Sequence, residues 1–395
     1  MDFNAYQKVL SGTARGEECP FPPEEFEQRL ARVRTRMSED DISALLLTDP
    51  ADIFYLTGYS TFEVSVHVAL VVTPSDLLLQ VPSIEMGPAM VTTRVTRVVG
   101  YRWEGIGEVL IPLVDALTGY EDRVGVDFWH GSPRHGVIEG IRARLSDVRF
   151  VDSGALLKKI RKVKSGAELE YLRQSARITA IGLEAAVSAI QPGMTDNNIA
   201  AIGAEALLSA GSEFMSMQPI VTVGSRSGVI HANHKRYLIG AGDVVFLEFG
   251  AAWQRYTAPM MQTVVVGEPT PQMQRVFDGC RQVVDALLAN IRPGVTFDFA
   301  AQAAERALAP LAKEVFFSGV FGYTVGAQFP PSWVEGSGFI ARGQSSAFQP
   351  GMVFHLPICL RVPGQWGIGC SETVVVTDKG SERLTHNPWR LSAQS

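Results

Sequence analysis

The chain has 395 residues, 46% of them hydrophobic and 19% charged, which is too long for one small core and too apolar for a disordered chain. Its 35 Lys and Arg against 41 Asp and Glu leave a net charge of −6, excluding the basic footprint of a nucleic-acid binder and the polybasic patch of a membrane-surface protein. The longest apolar runs are strand-sized, the N-terminus lacks the layout of a secretion signal, and Cys19, Cys280, Cys359 and Cys370 show no CxxC spacing, so a cytoplasmic protein without membrane segment, disulfide framework or thiolate zinc site is expected.

Residues 1 to about 22 are polar, with prolines clustered after Cys19, and read as an arm. Phe26, Leu30, Val33 and Met37 then fall at helical spacing, so an amphipathic helix opens the first domain. The apolar runs Ala44–Leu47, Val66–Val72, Leu77–Val81 and Val124–Val126 predict short strands, and Ile106–Leu117 and Pro133–Leu145 predict helices between them. This alternation is α/β. A basic stretch from Leu157 to Ser165 precedes a long helix beginning near Gly166, which places the junction between a smaller domain over 1–160 and a second over 161–395.

The second domain carries an internal repeat. Ile190-Gln-Pro-Gly-Met-Thr195 and Ile291-Arg-Pro-Gly-Val-Thr296 each precede an Ala-rich helix. In both, Pro-Gly ends one helix and the Thr stands where it caps the next. Each helix leads on to a strand opened by glycine, Gly242-Asp-Val-Val-Phe-Leu-Glu248 and Gly351-Met-Val-Phe-His-Leu-Pro357. Two such halves predict a pseudo-twofold α+β domain with a site between them. Glu248 lies in a run apolar enough to be a buried strand, and a buried carboxylate must be paired, protonated or kept for chemistry. His355 occupies the related strand. His231 lies in a loop-like stretch before the Glu248 strand and suits a general acid or base, while His234, among Asn233, Lys235 and Arg236, reads as a surface residue. Phe329-Pro-Pro-Ser-Trp333-Val-Glu335 predicts a rigid aromatic loop ending in a carboxylate, and Trp366 and Glu372 add a second indole and a second acid.

Together these segments resemble the creatinase/aminopeptidase P/methionine aminopeptidase family, whose catalytic domain has the pita-bread fold. The resemblance spans nearly the whole chain, through Lys164-Ser-Gly-Ala-Glu-Leu-Glu170, Gly242-Asp-Val-Val-Phe-Leu-Glu248 and Gly351-Met-Val-Phe. It implies a pita-bread domain preceded by a smaller creatinase-like α/β domain. Metal-binding members hold two divalent cations with two Asp, one His and two Glu. By spacing these positions fall on Glu248, Pro259, Tyr323, Pro357 and Ser371, with Glu372 one place further along and so on the opposite strand face unless the register shifts. Proline offers no donor, and phenol or hydroxyl replaces carboxylate or imidazole poorly. The expectation is therefore no metal and no cofactor.

Of the metal-free branches, ectoine hydrolases match more closely than creatinases, through the run Glu248 to Met260, Gly322-Tyr323, Phe329 to Glu335, Phe354-His355-Leu356 and Trp366-Gly-Ile. Leu47-Thr-Asp-Pro50 and Leu56-Thr-Gly-Tyr59 agree in the first domain. Gln262, Val334, Gly369-Cys370 and the segment Ser60 to His67 depart from the branch pattern, so the ligand is ectoine or a relative of it. The resemblance implies that Glu248 attacks the amidine carbon and that His231, eleven residues before Gly242, shuttles the proton. Tyr256, Tyr323, Trp333 and Trp366 would wall the cation with His355 beside them, Glu335 or Glu372 would help hold it, and Arg342 or Arg255 would meet its carboxylate. The substrate class is a small cyclic amidine or guanidine with a carboxylate. A homodimer is implied, in which Phe62 to His67 reach the partner's site. Three readings stay beside this one: a creatinase-like amidinohydrolase, a metal-dependent Xaa-Pro peptidase and a non-catalytic binding relative.

Overall fold

Residues 3–102, 105–214 and 217–391 are described by the computed structural model, which divides into the units Met1–Arg161 and Lys162–Ser395. The first unit opens with a helix, α1 (Phe3–Thr13), where an arm was expected. Leu10 packs against the core, Gln7 Nε2 donates to Val98 O at 3.2 Å and Ser11 Oγ to Met90 Sδ at 3.3 Å, so contacts along one helical face outweigh the polar composition. The unit continues as α2 (Pro23–Glu39), β1 (Ala44–Leu47), α3 (Pro50–Thr57), β2 (Ala69–Val72), β3 (Leu77–Pro82), α4 (Met86–Thr92) and β4 (Arg97–Tyr101). Then follow α5 (Ile106–Leu117), β5 (Val124–Val126), α6 (His135–Arg142), β6 (Phe150–Asp152) and α7 (Gly154–Arg161).

The six strands form one mixed sheet in the order β4-β3-β2-β1-β5-β6. Strand alternation sends Leu45, Leu47, Leu70 and Val72 to one face with Val33 and Met37 of α2, and Ala44, Leu46, Ala69 and Val71 to the other with Leu110 and Leu113 of α5. Both faces are covered, which is why these strands read as continuous apolar runs.

The second unit shows the repeat directly. Its first half holds α8 (Gly166–Ser188), α9 (Asp196–Ser209), β7 (Ile220–Val223), β8 (Val244–Phe249), the short pair β9 (Ala252–Trp253) and β10 (Tyr256–Thr257), and β11 (Met260–Val265). Its second half holds α10 (Pro271–Asn290), α11 (Phe297–Leu308), β12 (Gly322–Val325), β13 (Val334–Ile340), β14 (Val353–Val362), β15 (Trp366–Thr377) and β16 (Gly380–Arg383). Thr195 and Thr296 both act as N-caps, accepting from Asn198 N and Phe299 N. Gly193 and Gly294 take φ of 90° and 82°, the left-handed region that favours glycine after a helix. Each then donates its N–H to a loop carbonyl ahead of the next strand, Ile239 O and Phe348 O respectively. The local chemistry is the same in both halves, and so is the local structure.

The two halves build two sheets, β11-β8-β7 and β13-β12-β14-β15-β16. The outer face of the first, with Val245, Leu247 and Phe249, packs on Ile178, Leu183 and Ile199 of α8 and α9. The outer face of the second, with Leu356, Ile358 and Leu360, packs on Val276, Val283 and Ala300 of α10 and α11. The inner faces meet where Phe246, Met261 and Cys359 cluster. β11, at the edge of the first sheet, is laced to β15 of the second by Thr263 Oγ1 donating to Gly369 O at 2.8 Å and Gly369 N–H donating back to Thr263 Oγ1 at 2.9 Å. A Cβ on Gly369 would run into the Phe246 ring, so this approach requires glycine. The expected α+β architecture with a pseudo-twofold repeat is thus observed. Among the described residues, no helix is long and apolar enough to cross a membrane.

Candidate active site

Every residue at the meeting of the two sheets is set by strand parity. On β8, Glu248 and Phe246 point inward while Val245, Leu247 and Phe249 join the outer core. Glu248 stands opposite Met261 of β11 and Ile220 of β7. On β14 the inward residues are His355, Pro357, Cys359 and Arg361, and their partners on β15 are Thr373, Ser371, Gly369 and Gly367. Two consecutive inward glycines leave room for Cys359 and Arg361 to face the first sheet.

Glu248 is 7% exposed and, among the described residues, makes no hydrogen bond or ion pair. Burial pushes its carboxyl up to about 8, against the pull of the Arg361 guanidinium. Around it runs a chain of hydrogen bonds. Trp333 Nε1 donates to Tyr323 Oη at 2.8 Å, Tyr323 Oη meets His355 Nδ1 at 2.8 Å, and His355 Nε2 meets Ser371 Oγ at 2.7 Å. Met261 N donates to the same Ser371 Oγ at 2.6 Å. His355 is fully buried, and burial drives its imidazole down to about 3, so the ring is neutral at ordinary pH. Burial, and behind it the charge of Glu248, holds the Tyr323 phenol well above its usual value. Burial likewise pushes the Cys359 thiol up to about 12.

Of the residues singled out in the sequence, the structure therefore brings together Glu248, Tyr323, Trp333 and His355. Others are placed elsewhere. Glu335 is ion-paired with Lys164 at 2.7 Å, both side chains buried, and accepts from Ser337 Oγ at 2.8 Å, so its charge is already met. Glu372 lies opposite Leu356, on the strand face away from His355, and accepts from Thr385 Oγ1 and Asn387 N. Trp366 shares that outer parity and packs in the core with Ile368 and Val362. Arg342 is exposed and held by Asp298 at 2.9 Å and Glu305 at 2.8 Å, so it is not a free cation for a substrate carboxylate. Arg255 is buried between the Phe214 and Phe329 rings, 4.4 Å and 4.3 Å from their centroids. Tyr256 is fully buried and donates to Glu168 Oε1 at 2.8 Å, in the capping box that starts α8.

The two loop histidines exchange their expected settings. His231 is exposed at φ 52° and makes no contact with Glu248 among the described residues, whereas the half-buried His234 ring meets Asn233 Oδ1 at 2.8 Å and Pro219 O at 3.1 Å. Sequence reading missed three groups. Ser371 was noticed only as a lost metal ligand. Cys359 and Arg361 stand four and six residues beyond His355, so period-two counting along β14 was the signal that finds them.

Residues 170–378, more than half of the chain, match the model of Metallopeptidase family M24, and residues 29–163 match that of the Creatinase/Prolidase N-terminal domain. The chain belongs to Metallopeptidase family M24. It is a hydrolase of that family, with the pita-bread fold behind a creatinase-like first domain. An uncharacterized hydrolase/peptidase of Sinorhizobium fredii is 29% identical over 94% of this chain and 98% of its own. The ectoine hydrolase of Halomonas elongata is 25% identical over 94% and 98%. The structure of an X-Pro aminopeptidase from Thermotoga maritima superposes with a TM-score of 0.81 at 21% identity, covering 92% of this chain and 99% of that one.

The M24 family name implies a metal, and the donor set of this chain does not fit one. Pro357 lies directly across from Ser371, so the β14–β15 pair that should contribute two carboxylates offers a ring without lone pairs and one hydroxyl. Pro259 gives only its main-chain carbonyl, which accepts from Thr373 Oγ1 at 2.7 Å. Tyr323 and Ser371 are tied to the neutral His355. Among the described residues, no three His, Cys, Asp or Glu side chains converge to hold an ion.

Proposed function

We propose that this M24 hydrolase opens a C–N bond of a carboxylate-bearing cyclic amidine, ectoine or a close relative, without a metal, and that Glu248 is its nucleophile. One observation carries the reading: a buried carboxyl stands at the meeting of the two sheets with no hydrogen-bonded cation. Such a group costs several kcal/mol to ionise in place unless a cation is brought to it. An amidinium supplies that charge as a planar, carbon-centred electrophile, which the hydrogen-bonded aromatic rings of Trp333 and Tyr323 suit. The likeness to an ectoine hydrolase over nearly the whole chain supports the same substrate class.

In the first step a Glu248 oxygen bonds to the amidinium carbon, and the C=N π pair moves onto nitrogen. A proton then reaches one ring nitrogen, the C–N bond breaks with its pair on that nitrogen, and the other nitrogen re-forms a C=N bond to the carbon held by Glu248. Water adds to that carbon and one of its protons goes to the freed amine; the C–O bond to Glu248 then breaks with its pair on the carboxylate while the remaining hydroxyl proton returns to the group that supplied the first, leaving the acetamide, an N-acetyl diaminobutyrate from ectoine. His231 is assigned the first proton by its spacing alone. Arg361, the cation acting on Glu248, is the best partner for the substrate carboxylate. Losing a hydrogen bond to a charged group removes about 1.5–3 kcal/mol, so Arg361→Met is expected to raise KM by at least roughly 10-fold with a smaller change in kcat. An unchanged KM would take Arg361 out of the pocket.

Calorimetry in buffers of different ionisation enthalpy tests the central contact. With its carboxyl near 8, Glu248 is mostly protonated at pH 7, so binding an amidinium should release close to one proton. The release should vanish in Glu248→Gln. Binding without proton release in the unaltered protein would mean that the cation does not sit on this carboxyl.

A further inference from the structure

We infer that Ser371, His355 and Tyr323 form a proton relay flanking Glu248, which takes the proton of the attacking water at its serine end and delivers one at its tyrosine end. The inference rests on the amidine-hydrolase reading for its chemistry, and on hydrogen-bond bookkeeping for its existence.

Each hydroxyl in the chain receives one donor that cannot reverse. The indole N–H of Trp333 can only donate to Tyr323 Oη, and the main-chain N–H of Met261 can only donate to Ser371 Oγ. The ring between them is a neutral imidazole, with one nitrogen carrying hydrogen and the other accepting. Two complete arrangements follow. In one, Ser371 donates to Nε2, Nδ1–H donates to Tyr323, and the tyrosine hydroxyl hydrogen is left free. In the other, Tyr323 donates to Nδ1, Nε2–H donates to Ser371, and the serine hydroxyl hydrogen is left free. Both ring nitrogens and both hydroxyl oxygens are paired in either state, with one terminal hydroxyl hydrogen left over, and passing from the first state to the second takes one proton in at the serine and one out at the tyrosine.

Both ends of the chain are linked to the strand position of the carboxyl that carries the reaction. Tyr323 feels the charge of Glu248, and Ser371 is bonded to the main chain of Met261, the residue directly across from Glu248. When water adds to the carbon held by Glu248, its oxygen forms the new C–O bond and the C=N π pair returns to nitrogen. The water proton passes to Ser371 Oγ, the serine proton to Nε2, the Nδ1 proton to Tyr323 Oη and the tyrosine proton to the lone pair of the amine released from the ring. One proton enters and one leaves. The burial that disfavours imidazolium and phenolate requires the shifts to run together, so no charged relay member forms.

Two measurements decide it. Nitrogen-15 spectra of ring-labelled histidine, with the His355 signals identified by their loss in His355→Gln, read the tautomer in the ligand-free enzyme. The relay predicts both ring nitrogens at averaged positions with no imidazolium between pH 5 and 9. A single fixed tautomer, or a ring that charges in that range, overturns it. In turnover, the proton inventory of kcat in mixed light and heavy water should be bowed in the unaltered enzyme. It should become straight in Ser371→Ala, with kcat reduced roughly 100-fold and KM little changed, and Ser371→Thr should recover part of the loss. A straight inventory in the unaltered enzyme overturns the relay. Absence of any amidine turnover would instead remove the proposed reaction, and the tautomer spectra would still decide whether the two-state chain exists.

Discussion

Glu248→Gln is expected to lower amidine turnover by roughly 10⁴-fold or more, the scale seen when a covalent nucleophile is removed, and to make the folded protein more stable at alkaline pH. The sign of the second effect follows from burial. The folded carboxyl sits near 8 against an ordinary 4.5. Between those values the unfolded chain has released its proton while the folded chain has kept it. The contribution is therefore full below pH 4.5 and is lost as pH climbs toward 8, at up to about 1.4 kcal/mol per unit. A glutamine has no proton to lose. Thermal unfolding should show the variant near the unaltered protein at pH 5 and above it at pH 8. Equal stability at pH 8 would mean that the Glu248 charge is compensated in the folded protein, and turnover at the original level would mean that Glu248 is not the nucleophile.

Lys164→Met is expected to destabilise the protein by about 3–5 kcal/mol, the cost of breaking a buried ion pair from one side. Lys164 Nζ and Glu335 Oε2 lie 2.7 Å apart with side-chain exposures of 0% and 3%. Removing the ammonium takes away the cation of a carboxylate that water cannot reach. The double variant Lys164→Met with Glu335→Gln should recover most of the loss, because the two charges act as a unit. Denaturant unfolding of the two variants checks this. A Lys164→Met change below about 1 kcal/mol would mean that Glu335 is not held by the pair and is free for a ligand.

Local chemistry was the legible part of the chain. Pro-Gly-Thr at 192–195 and 293–296 announces a helix end and a cap within four residues, and the structure builds both. An acid within Val244–Phe249 and a histidine within Val353–Val362 stand out because they interrupt strands that are otherwise largely apolar. Alternation along one strand was legible, but its pairing with the next was not. Whether Ser371 or Glu372 faces His355 depends on the β14–β15 register, and Trp366 shares the outward parity of Glu372. In sequence Arg342 is a cation that a substrate carboxylate could use; only the fold shows that Asp298 and Glu305 already hold it. Glu335 was isolated in sequence from Lys164, 171 positions away. Spacing identified His231 but carries no information on exposure. The first helix was hidden by composition, since polar residues surround the apolar contact at Leu10.

The most direct test is turnover by chelator-treated protein whose metal content is measured on the same sample, followed by NMR with ectoine, hydroxyectoine, creatine and an Xaa-Pro dipeptide. Ectoine or hydroxyectoine should be opened to an N-acetylated diamino acid at an undiminished rate, with the dipeptide left intact before and after manganese is added. Dipeptide cleavage that appears only with manganese, beside an untouched amidine, would contradict the account.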